Sequence, residues 1–217
     1  MQLEPITWQR LAERLADHLD VREPARDEAG WRRVGIDGAP AADTGSATDH
    51  LADALRSRGR PVLVVAADGF LRPASLRFEY GREDVDAYLG GWYDTAALWR
   101  EVFGPTDPGG TGRVLPDLWD PVTDRATRSP YAELPPGGVL IVHGPLLLGH
   151  WFPFDLSVHV HLSTGALARR TEDSARWTLP AFARYEAETD PASIADVLVR
   201  ADDPRHPAWA GIRGAAG

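Results

Sequence analysis

Between Trp31 and Ala67 two apolar runs bracket a turn-rich stretch and a helical one, and this order constrains the fold more than any other feature of the chain. Trp31 to Ile36 reads as a buried strand. Asp37 to Gly45 is dense in turn-forming residues, and a helix follows from about Ser46 to Ser57 with Ser46 as its N-cap. Val62 to Ala67 reads as a second strand. Strand, glycine turn, helix and strand make a right-handed βαβ unit, whose first turn is where α/β proteins hold phosphate. The expected fold class is α/β, three layers with a parallel sheet flanked by helices.

The remaining segments extend that plan. Trp8, Leu11, Leu15 and Leu19 recur at spacings of three and four, which predicts an amphipathic helix over residues 5–20. Asp68 to Arg82 reads as loop, and short helices are expected around Glu83 to Leu89 and Thr95 to Phe103. Residues 105–136 are rich in Gly, Pro and Asp, with β-like pieces near Arg113 to Trp119 and Arg125 to Tyr131, the pattern of a small antiparallel flap over a sheet edge. Val139 to His143 and Leu156 to Leu162 read as core strands, Thr164 to Arg170 and Leu179 to Glu188 as helices, and Val197 to Arg200 as a last short strand. One domain over residues 1–204 is expected, with residues 205–217 as a loosely held tail.

Composition narrows the function classes. A chain of 217 residues with 43% hydrophobic content and eight tryptophans can bury one full core. A formal charge of -9 argues against a nucleic-acid surface, which is built on clustered positive charge. The absence of cysteine excludes disulfides, thiolate zinc sites and cysteine nucleophiles. No apolar run approaches a membrane span, and the acidic, tryptophan-containing N-terminal stretch does not read as a signal peptide, so no membrane partner and a cytoplasmic location are the expectation. His159 and His161 alternate on one strand and share a face, which suits either metal ligation or packing at the sheet surface. Asp117, Asp120 and Asp124 do not fit a calcium-loop spacing and read as turn formers.

Several segments in order then carry a family resemblance over roughly residues 31–200. They are V-G-I-D-G at 34–38, A-D-G-F at 67–70, R-F-E-Y-G-R at 77–82, Y-D at 93–94, G-G-T-G-R at 109–113, W-D-P-V-T-D-R at 119–125, P-P-G-G-V-L-I-V-H-G at 135–144 and R-Y-E-A-E at 184–188. Together they resemble the uridine kinase branch of the P-loop nucleoside kinases, particularly the short bacterial uridine-kinase-like proteins. The resemblance implies a P-loop NTPase fold, ATP and Mg2+ as cofactors, and a nucleoside or nucleotide held between the second-strand loop and the flap.

The chain departs from that family where phosphate is handled. It contains no lysine, all 23 basic side chains being arginine. The family pattern G-x-x-x-x-G-K-[ST], started at Gly38, puts Asp43 on the second glycine, Thr44 on the lysine and Gly45 on the magnesium-binding hydroxyl, with Ser46 one residue beyond. Unit charges about 4 Å apart at an effective dielectric of ~20 interact by roughly 4 kcal/mol. An ionised Asp43 turned into the cradle would therefore repel a triphosphate about as strongly as the lost lysine would attract it. At the Walker B position, where the family presents an acid before glycine, the chain has His143, a poor partner for magnesium.

The acceptor side keeps more of the pattern. The resemblance makes Asp68 the catalytic carboxylate that orients the attacking hydroxyl, puts Arg77, Tyr80, Arg82 and Tyr93 around the nucleoside, and places Arg169, Arg170 and Arg176 in a short lid over about residues 169–178. The functional expectation is a uridine-kinase-like protein that binds a nucleoside or nucleotide with ATP-dependent transfer weak or lost. The alternatives are a working kinase in which an arginine such as Arg169 or Arg170 replaces the lysine, and a non-catalytic binding or regulatory protein; a homo-oligomer is left open, and no resident metal is assigned.

Overall fold

A computed structural model describes residues 3–21 and 30–212. β1 (Glu4–Pro5) leads into α1 (Trp8–Val21), and β2 (Arg32–Asp37), α2 (Thr44–Ser57) and β3 (Val62–Ala66) form the βαβ unit. The short helices α3 (Ala74–Arg77), α4 (Val85–Gly91) and α5 (Thr95–Leu98) follow, then four two-residue strands, β4 (Arg113–Val114), β5 (Trp119–Asp120), β6 (Arg125–Ala126) and β7 (Ala132–Glu133). The chain closes with β8 (Val139–Gly144), β9 (Leu156–His161), α6 (Thr164–Arg170), α7 (Leu179–Glu188), α8 (Pro191–Ile194), β10 (Val197–Arg200) and β11 (Ala208–Ile212).

The main sheet runs β1-β11-β10-β9-β2-β8-β3. The ladders β3·β8, β8·β2, β2·β9 and β9·β10 are parallel, and β11 pairs antiparallel with both β10 and β1. From β2 the chain crosses to β3 on one side, and after β8 it crosses to β9 on the other. The carboxyl end of β2 is thus the switch point at which open α/β sheets form their crevice.

Both faces of this sheet are covered, which is why its strands read as apolar runs rather than as alternating patterns. Val139 and Ile141 face the layer of α1 and α2, with Leu11, Leu15, Leu19, Leu51 and Leu55, while Leu140 and Val142 face Phe70, Leu98 and Phe103 on the other side. Each such buried side chain contributes about 1.5–3 kcal/mol. The flap consists of two small ladders, β4·β7 and β5·β6. It lies against the loop after β3, where the Leu118 amide donates to the Gly69 carbonyl at 2.8 Å.

Three expectations need correction. α2 starts at Thr44, because Asp43 and not Ser46 is its N-cap. The stretch from Asp68 to Arg82 is not all loop: a 3-10 turn spans Ala67–Phe70, and α3 is nucleated by Asp124, whose carboxylate accepts from the Ala74 amide at 2.9 Å. Val197 to Arg200 is not the last strand, and residues 205–212 are held. β11 completes the sheet, the Ile6 amide donates to the Pro207 carbonyl, and Trp8 Nε1 donates to the Pro204 carbonyl. Residues 213–217 of the expected tail lie outside the described residues.

Candidate active site at the carboxyl ends of the parallel strands

Gly38 and Gly144 bring three strand ends together. The Gly38 amide donates to the Gly144 carbonyl at 3.2 Å. A Cβ on Gly38 would stand 2.8 Å from the Val160 carbonyl oxygen, and one on Gly144, at φ 146°, would stand 2.7 Å from the Ala67 Cβ. Neither position has room for a side chain. This close approach sets the glycine turn, His143 and the Asp68 loop around one crevice.

The turn after Gly38 has the left-handed residue of a phosphate loop but is closed upon itself. Pro40–Ala42 form a 3-10 turn, the Ala42 amide donates to the Ala39 carbonyl, and the Asp43 amide donates to the Pro40 carbonyl. Pro40 brings no N–H at all. Asp43 has φ 55° and ψ 55°, a conformation natural to the glycine that the family pattern has at this position. Its carboxylate accepts from the Ser46 amide at 3.2 Å and caps α2. An internal anion therefore occupies one of the helix N-terminal donors that an incoming phosphate would use.

Thr44 and His143 meet in the crevice, with Thr44 Oγ1 3.3 Å from His143 Nδ1. Burial pushes the imidazole below its ordinary range, outweighing the opposing pull of Asp68, Asp49 and Asp43 and favouring the neutral form of His143. Gly45 contributes backbone beside them. Asp68 is exposed on the 3-10 turn that follows β3 and accepts from the Tyr93 hydroxyl at 3.0 Å through Oδ1. Burial, with Tyr88 and Asp68 nearby, raises Tyr93 well above its ordinary value and keeps it a neutral donor. The Tyr93 hydrogen bond thereby fixes the orientation of the Asp68 carboxylate.

The other expected ligand residues are not all gathered there. Arg77 is turned inward rather than toward a nucleoside: only 7% exposed, it donates to the Arg72 carbonyl at 2.7 Å, pairs with Asp124 at 3.4 Å and lies over the Phe78 and Trp92 rings. Tyr80 is 74% exposed, and Arg82 rests on the outside of the Phe78 ring. In the expected lid, Arg170 donates to the Ala201 carbonyl and Arg176 pairs with Asp173, while Arg169 folds back so that Nη1 is 3.3 Å from where a Gly165 Cβ would stand. Asp117, Asp120 and Asp124 form turns and caps, accepting from Ser129, Val122 and Ala74 respectively.

Two groupings escape the sequence. Tyr88, Trp92, Trp177, Phe78 and Phe182 form an aromatic cluster behind Tyr93; the i, i+4 spacing of Tyr88 on α4 and Trp92 at its C-cap is its one local sign. Beneath the turn, Asp37 is fully buried, accepting from the Leu147 amide at 2.8 Å and the Tyr185 hydroxyl at 3.1 Å through Oδ1. His159 lies between two acids, 2.7 Å from Asp37 Oδ2 through Nδ1 and 3.2 Å from Glu186 Oε1 through Nε2. Desolvation alone would lower it, but the two carboxylates prevail and raise it to about 9. His159 is thus an ion-pair partner.

The site does not fit ATP with magnesium as the family resemblance implies them. Thr44 replaces the cation, the amides of Ala42, Asp43 and Ser46 are engaged within the turn, and His143 offers nitrogen where magnesium takes oxygen. Among the described residues no three His, Asp or Glu side chains converge as a metal-binding group, and no helix is long and apolar enough to cross a membrane.

No protein-family model and no curated protein matches the chain. Solved structures do. A possible uridine kinase from Bacillus stearothermophilus superposes with a TM-score of 0.71 at 19% identity, over 88% of this chain and 97% of that one. A protein named as a fructose transport system kinase from Silicibacter sp. TM1040 gives 0.60 at 23% identity, over 88% and 95%. At these identities the likeness speaks for architecture, and the chain has the P-loop kinase fold that these two structures share.

Proposed function

We propose that the protein is a uridine-kinase-like P-loop protein that binds a nucleoside or nucleotide on the Asp68 side of the crevice and has lost most or all ATP-dependent phosphoryl transfer. The observation that carries this reading is the Asp43 carboxylate on the Ser46 amide. A negative group bonded to the helix N-terminus competes with the very anion a phosphate loop exists to bind. Thr44 in the lysine place and Pro40 in the turn act in the same direction. On the acceptor side, Asp68 held by Tyr93 supports recognition of a hydroxyl, such as that of a ribose.

A working kinase that uses Arg169 or Arg170 in place of the lysine would need a guanidinium at the turn. Arg170 is instead engaged at Ala201, and Arg169 folds over its own helix. Isothermal titration with uridine, cytidine and, separately, ATP plus magnesium tests the proposal. Nucleoside binding that weakens at least about tenfold in Asp68→Asn, without ATP binding, is expected. Turnover of uridine with ATP by the wild-type protein would overturn it.

A further inference from the structure

We propose that the protein carries a second ligand site, for a small organic amine with an aromatic or aliphatic body, in the cavity enclosed by the end of β9, α6 and α7. The cavity measures about 270 Å³. This lies near the lower end of the ~300–1,000 Å³ range of small-molecule sites and suits one ring with a short arm. Its body is apolar, walled by Leu162, Leu167, Leu179 and Phe182, and its polar end is formed by His159, His161 and Glu186. Ala39 of the glycine turn and the end of β9 belong to its wall, whereas Asp68 follows β3 and His143 lies in β8, on the other side of β2. The cavity therefore touches the glycine turn at Ala39 but lies across β2 from Asp68 and His143, and its ligand does not depend on the function proposed for them.

The charge balance selects the ligand. Asp37 and Glu186 share one imidazolium, that of His159, so the group holds one negative charge in excess. Asp37 is fully buried, its other oxygen taken by the Leu147 amide and the Tyr185 hydroxyl. Glu186 is 39% exposed on the cavity wall and, among the described residues, has no hydrogen-bond donor besides His159. The cations nearby are committed or offset: Arg184 on α7 is held by Asp86 and Glu188, and Arg200 lies near His161 together with Asp202. His161 Nδ1 is buried without a partner among the described residues, and His161 belongs to the cavity wall. An ammonium group supplies donors to both the Glu186 carboxylate and an imidazole nitrogen, while its organic body fills the apolar part. An anion of the same size meets the excess negative charge.

The test is calorimetric titration of the full chain at pH 7 with phenethylamine, 2-phenylethanol and phenylacetate. The amine is expected to bind at least about tenfold more tightly than the alcohol, the scale of one charge-assisted hydrogen bond, and the acid not at all. Glu186→Gln should erase that preference. Ala183→Trp places a bulky side chain at the exposed edge of the cavity and should abolish binding while leaving the fold intact by circular dichroism. Equal affinity for amine and alcohol, unchanged binding in Ala183→Trp, or no binding by any of the three probes would each overturn the proposal.

Discussion

Asp43 shows how a single residue decides the reading of a motif. In sequence it is only an acid where a glycine is usual, and a carboxylate facing into the turn and one capping the helix have the same spelling. The distinction lies in φ and ψ, both 55°, which direct the side chain to the Ser46 amide. Asp43→Gly keeps the left-handed backbone and should change unfolding free energy by only a few tenths of a kcal/mol, whereas Asp43→Ala loses both cap and backbone ease and should cost about 1–2 kcal/mol by urea denaturation. Equal stability of the two variants would remove the cap from the account. Gly144→Ala combines φ 146° with a 2.7 Å approach to Ala67 and should cost roughly 1–3 kcal/mol. A variant as stable as wild type would show that the β8 end and the Asp68 loop are not held by this close approach. Arg77 differs from its expectation for a related reason: the resemblance assigns its segment to the nucleoside, and only the tertiary fold reveals Asp124 and the Phe78 and Trp92 rings around it.

Among elements, those with strong periodicity or uniform apolar runs were legible: α1, β2, β3, β8, β9, α6 and α7. Those that depend on partners far along the chain were not. α3 takes its cap from a residue 50 positions later. β11 is a short A-W-A-G-I segment beside a proline, and it becomes a strand because β10 and β1 offer it edges on both sides. Truncation after Pro204 should therefore lower stability by about 2–4 kcal/mol through the lost packing of Trp209 and Ile212 on the core; an unchanged melting temperature would restore the loose tail. β9 carries the pH dependence. The folded pKa of His159, about 9, lies above the ordinary value of 6.5, so the stability its ion pairs contribute is complete below pH 6.5 and is lost as pH rises through 9. At ~1.4 kcal/mol per pKa unit this amounts to roughly 3 kcal/mol. Urea unfolding between pH 6 and 10 should show that decline, and a flat profile would place the proton elsewhere. The alternation of His159 and His161 gave their shared face, but Asp37 and Glu186 are brought to it only by the sheet and α7.

At the scale of the whole molecule, the parallel order around β2 and the close approach of Gly38, Gly144 and Ala67 bring the glycine turn and the Asp68 loop to one crevice. The βαβ unit made that much readable, because strand, turn and helix are local patterns. Whether the turn is open to phosphate is a property of hydrogen bonds within it, and these follow from the joint presence of Pro40, Asp43 and Thr44 in one closed loop. The account ties the proposed loss of phosphate handling to a small set of residues, and binding of ATP with magnesium to the wild-type protein and to the double variant Asp43→Gly/Thr44→Lys tests it most directly. No detectable binding by wild type and clear binding by the double variant is the expected result. ATP binding by wild type at micromolar concentration, unaffected by the substitutions, would contradict it.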